Sequence, residues 1–133
     1  MLAYLVGSLA GRVATVLCVV VIALPYLLRR KKASLSRPRP YLRRLWPHFW
    51  VGYAIAAFTV IHVGLVMGAM GRANAAGIWA ATAAFFLMVL EIVVGLSLRE
   101  VGGGRQALRR WHFWIMLAFV VSLGMHVLLN GLL

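Results

Sequence analysis

Two acidic residues, Glu91 and Glu100, are all that this 133-residue chain contains, against fourteen lysines and arginines. Charged residues make up only 12% of the chain, hydrophobic ones 64%, and the mean hydropathy is +0.94. So few charges cannot cover the surface of a soluble domain of this size, and the composition points to an integral membrane protein. Cysteine is nearly absent too. Cys18 alone allows no internal disulfide, there is no C-x-x-C-H to attach a c-type haem, and Cys18 reads as a small buried hydrophobe. Length allows one domain.

The formal net charge of +12 raises the question of nucleic acid, and the placement of the charges answers it. Eight of the fourteen basic residues lie between Arg29 and Arg44, and four more between Arg99 and Arg110. No basic stripe follows an amphipathic helix. The charge is therefore a topology signal and no nucleic-acid partner is expected.

Four apolar stretches reach the roughly 20 residues that a bilayer-spanning helix needs. They lie at about 2–28, 45–70, 73–98 and 108–132. The first is followed at once by Arg29, Arg30, Lys31 and Lys32, a stop-transfer signal, and is expected to remain as a helix. The linker 29–44 carries Pro38 and Pro40 and reads as an extended basic loop, while Gly102, Gly103 and Gly104 break the chain before the last helix. The positive-inside rule places both basic loops in the cytoplasm and both termini outside. Helices 2 and 4 then run in the same direction.

All four histidines fall in one repeated pattern. His48-Phe49-Trp50 is followed after eleven residues by His62-Val63, and His112-Phe113-Trp114 after eleven by His126-Val127. The flanks repeat as well, Arg43-Arg44 before the first segment and Arg109-Arg110 before the second. The chain thus reads as two copies of a plain helix followed by a histidine helix. Fourteen residues of α-helix rise about 21 Å and fall roughly 40° short of four full turns, so each histidine helix carries two imidazoles on one face at different depths. Parallel helices 2 and 4 would set His48 opposite His112 and His62 opposite His126. Zinc needs its ligands to converge within a few Å, which four turns of separation forbid. A flat haem takes one imidazole above and one below, so each pair suffices. The competing use of the histidines is an interfacial position for His48 and His112 and interhelical hydrogen bonds for His62 and His126.

The expected architecture is an all-α, integral membrane four-helix bundle with two stacked b-type haems between helices 2 and 4. His48 and His112 ligate the inner iron, His62 and His126 the outer. Arg12 on helix 1 is a candidate partner for the outer propionates, and Arg44 and Arg110, with Arg43 and Arg109, for the inner ones. Glu91, the one acid inside a span, is read either as a proton relay to a quinone or as the partner of a rim arginine. Small residues crowd the outer halves of helix 1 (Gly7 to Ala14) and helix 3 (Ala75 to Ala84), where either a helix or a porphyrin edge can approach closely. Ala81 and Gly95 repeat the fourteen-residue spacing on helix 3. Trp46, Trp50, Trp111 and Trp114 are read as the inner aromatic belt and Trp79 as part of the outer one.

The doubled spacing His48/His62 and His112/His126 resembles the haem-bearing four-helix core of cytochrome b of the cytochrome bc complexes and the bacterial di-haem cytochromes b. The resemblance covers nearly the whole chain and implies that these four histidines are axial ligands of two haem b groups. It implies electron transfer with the quinone pool, as the cytochrome b subunit of a membrane oxidoreductase, with other subunits or a second copy of the chain as partners. The expected location is a bacterial or archaeal cytoplasmic membrane. The Pro-Glu-Trp-Tyr stretch of the cytochrome b quinol-oxidation site is absent, so quinol bifurcation is not implied. A stand-alone quinone-coupled superoxide oxidase or metal reductase, a designed di-haem bundle and a haem-free helical scaffold are the alternatives.

Overall fold

A computed structural model describes residues 1–30, 45–100 and 105–131. The chain is all-helical over these residues: α1 is Leu2–Arg30, α2 Trp46–Val66, α3 Ala75–Glu100 and α4 Arg105–Asn130. A short 3₁₀ segment, Met67–Arg72, follows α2. Each of the four helices is long and apolar enough to cross a membrane.

The chain divides into two compact units, Met1–Val66 and Met67–Leu133, and each is an antiparallel helix pair. In the first, α2 packs on α1 with its start against the end of α1, since His48 meets Val21 while His62 meets Gly7. In the second, α4 packs on α3 in the same sense, His112 meeting Glu91 and His126 meeting Gly77.

Small side chains make both seams. Gly7, Ala10, Ala14 and Cys18 recur at helical spacing on the buried side of α1, and Gly77 and Ala84 do the same on α3, joined there by the larger Met88. A Cβ on Gly7 would lie 2.9 Å from Leu65 Cβ, so the backbones approach at van der Waals limits there. The small-residue runs on α1 and α3 thus serve helix packing within each pair. The large apolar side chains point the other way. Leu9, Val16, Val19, Trp79, Phe86, Val121 and Leu128 are all exposed, the reverse of a soluble core and suited to hydrocarbon. Trp46, Trp50, Trp111 and Trp114 are exposed as well, as an aromatic belt requires.

The helix ends differ from the sequence expectation by identifiable local chemistry. Helix α1 continues through Arg29 and Arg30, so the linker begins later than expected. Helix α2 stops at Val66 rather than residue 70, because Gly64, Gly68 and Gly71 weaken the α-helix and the chain tightens into a 3₁₀ turn. Helix α3 starts at Ala75 because Asn74 caps it, its Oδ1 accepting from the N–H groups of Ala76 (2.9 Å) and Gly77 (3.3 Å). Helix α4 begins at Arg105, three residues earlier than expected, and ends at Asn130, where Gly131 takes the left-handed φ of 71° typical of a helix stop. The expected extended loop with Pro38 and Pro40, Arg43 and Arg44, and Gly102 to Gly104 lie outside the described residues.

Candidate functional site

The four histidines are all half-buried, and each turns its Nδ1 toward the plain helix of its own pair. His48 Nδ1 lies 3.2 Å from the Val21 carbonyl oxygen, His62 Nδ1 2.9 Å from that of Gly7, and His126 Nδ1 3.0 Å from that of Gly77. His112 Nδ1 meets a side chain instead, Oε2 of Glu91. A carbonyl oxygen only accepts, so the nitrogen facing it carries the proton. In a neutral imidazole the lone pair then sits on Nε2. This is the arrangement in which an outer-shell acceptor fixes the tautomer and ring orientation of a metal-binding histidine. The donor set therefore fits a haem iron, to which each histidine would offer Nε2.

The acceptors repeat as regularly as the histidines. Gly7 and Val21 are fourteen residues apart on α1, Gly77 and Glu91 fourteen apart on α3, and each α3 acceptor follows its α1 counterpart by 70 positions. The expected spacing on α3 is thus present, carried four residues earlier than Ala81 and Gly95. The Gly95 position is nevertheless close to the ring, its built Cβ 4.0 Å from His112 Cε1.

Local sequence explains why these acceptors are available. Pro25 has no N–H, so the Val21 carbonyl four residues earlier lacks its usual helical donor, and His48 takes that place. At the position corresponding to Pro25 the second copy has Gly95, which keeps its N–H, and there the acceptor is the Glu91 carboxylate. Gly11 gives His62 its seat. A Cβ on Gly11 would fall 2.6 Å from His62 Nδ1, so the ring lies against bare backbone. In the second copy Ala81 takes the place of Gly11 and the close approach moves to Gly77, whose Cβ would meet the Asn130 amide. Asn130 also accepts from the Asn74 N–H at 2.7 Å, and its Nδ2 is 3.4 Å from His126 Nδ1. With Nδ1 protonated toward the Gly77 carbonyl, the 3.0 Å contact is the hydrogen bond and the Asn130 amide is a neighbour.

Glu91 thus faces a histidine, a partner neither sequence reading gave it. Its Oε1 is buried with no hydrogen-bond partner among the described residues. Arg12 lies on the exposed side of α1, next to the glycine on which His62 rests, and Arg110 is exposed two residues before His112. Arg44 is outside the described residues. Among the described residues no three His, Cys, Asp or Glu side chains gather as a metal cage would require. The sequence reading missed Val21, Gly7 and Gly77 as acceptors. The one sequence signal was Pro25, which marks the Val21 carbonyl four residues back and says nothing of Gly7 or Gly77.

No family model, curated protein or solved structure matches this chain.

Proposed function

We propose that this protein carries electrons across a membrane through two bis-histidine b haems, His48 with His112 and His62 with His126, as the di-haem subunit of a quinone-linked oxidoreductase. One observation carries the reading. All four histidines, at matched fourteen-residue spacings, direct Nδ1 at an acceptor on their neighbouring helix, which supports Nε2 as the nitrogen each would offer to a metal. Histidines used only to bridge helices would need neither the doubled spacing nor the same ring nitrogen each time.

Bis-histidine haem supplies one-electron chemistry with both axial positions filled. The chain's own residues do the rest. The carbonyls of Gly7, Val21 and Gly77 and the Glu91 carboxylate hold the imidazole planes, so little reorganisation accompanies a change of charge at a bound metal. Gly11 and Gly77 let the histidine helix close on its partner. The exposed apolar side chains face lipid and keep water from the histidines. Two imidazoles on one helix, separated by about 21 Å of rise, set an entry and an exit at different depths. In this reading Arg12 and Arg110, both exposed, pair with the haem propionates near the two ends. Both termini face outward in this proposal, the location is a bacterial or archaeal cytoplasmic membrane, and at least one end of the path meets a partner subunit.

The test is the absorption spectrum of the purified protein with a haem assay. Low-spin b-type bands and two haems per chain are expected. A protein purified without haem, and unable to take up added haem, would overturn the reading.

A further inference from the structure

Three of the four histidines hydrogen-bond to a backbone carbonyl, while Nδ1 of the fourth lies in ion-pair contact with a carboxylate, and this difference falls within an otherwise repeated plan. We infer that Glu91 is a positioning residue that lowers the reduction potential of the haem ligated by His112, making the two haems electronically unequal. The inference rests on the haem reading above and adds to it a role for one side chain.

The reasoning starts from acceptor strength. A carboxylate oxygen is a stronger acceptor than an amide carbonyl, and its hydrogen bonds are shorter and about twice as strong. A stronger pull on Nδ1–H makes the imidazole a better donor through Nε2, and a better donor favours the ferric over the ferrous state. Nothing else in the described chain competes for this carboxylate, since its Oε1 has no hydrogen-bond partner among the described residues and both oxygens lie in a largely buried side chain. His112 therefore takes its full effect. The first copy shows the alternative. Its corresponding position is Val21, whose side chain can accept nothing, and there Pro25 exposes the backbone carbonyl for His48. The second copy, with Gly95 in place of Pro25, has no such carbonyl and supplies a side chain. A merely structural need for an acceptor would be met by glutamine at position 91 as well as by glutamate.

That substitution is the test. Glu91→Gln gives His112 the amide-carbonyl acceptor that the other three histidines use. Redox titration of the full-length, haem-loaded protein, followed by the b-band absorbance, should show one of two potentials rising and the other holding. The expected rise is about tenfold in the ferrous-to-ferric ratio, or about 59 mV for one electron. Two haems with both potentials unchanged would overturn the inference and leave the haem reading standing, whereas a wild-type protein without haem would overturn that reading itself. Should Glu91→Gln fail to hold the haem, Glu91→Asp is titrated instead. It keeps the carboxylate but draws it back by one methylene, and a higher potential at one haem supports the inference while an unchanged pair contradicts it.

Discussion

The two helix pairs follow one plan and differ at three places, and the differences are more informative than the repeat. In α1/α2 the first histidine bonds to a carbonyl exposed by Pro25, the second rests on Gly11, and the seam near the end of α2 is closed by Leu65 and Val66 against Gly7. In α3/α4 the first histidine meets Glu91, Ala81 stands where Gly11 did, and the closing residue opposite Gly77 is Asn130, which also bonds to the Asn74 backbone. What both copies keep is the orientation of the imidazoles. Side chains, backbone freedom and cap chemistry have all changed around a fixed Nδ1 contact. A feature that survives such changes of means is the one the packing is organised around.

The largest effect is expected at Gly11. Gly11→Val places a branched side chain where even a Cβ would be 2.6 Å from His62 Nδ1, and backbone on a packed helix gives little room to relax. Overpacking of this kind costs about 1–3 kcal/mol. On the proposed ligation, the variant should lose the haem assigned to His62 and keep the other, as read by haem content. Ala81→Val, at the corresponding place in the second copy, should be milder. Equal losses from both variants would show that the two pairs seat their histidines alike.

A smaller effect is expected from Pro25→Ala. Alanine restores an N–H four residues after Val21, so the carbonyl is shared and the His48 bond weakens by about 1 kcal/mol at most. The helix itself should become more regular. On the proposed ligation, the haem bound through His48 should then dissociate faster, by up to about fivefold, when the protein is mixed with an apo-haem acceptor. A rate unchanged from wild type would mean that Pro25 does not prepare the acceptor. The smallest effect belongs to Asn130→Val, which gives the second copy the residue the first has at Val66. It removes the bond to the Asn74 N–H and should lower thermal stability by about 1 kcal/mol with both haems retained. Loss of a haem instead would give Asn130 a part in holding His126.

Much of this was legible in the sequence, and the rest was hidden for physical reasons. Hydropathy and length located the four helices because a membrane span needs about 20 apolar residues whatever its neighbours do. The end of α2 was misplaced because Met67 to Met70 is as apolar as a span, while the glycines around it decide between α and 3₁₀. The histidine pattern was legible because it is written in side chains. Three of its four acceptors were not, because a backbone carbonyl has no residue identity. The fourth acceptor, Glu91, stood out as the only acid in a span, yet the sequence offered it an arginine or a quinone. Its placement opposite His112 comes from the register of α3 on α4, set by small residues such as Gly77 and Ala84.

The most direct test of the central claim is the haem content of four single variants, His48→Ala, His62→Ala, His112→Ala and His126→Ala, each with the spectrum and potential of whatever haem remains. Bis-histidine ligation across the repeat predicts that His48→Ala and His112→Ala lose the same haem, while His62→Ala and His126→Ala lose the other. Four variants that all retain two unchanged haems, or losses that group His48 with His62 and His112 with His126, would contradict it.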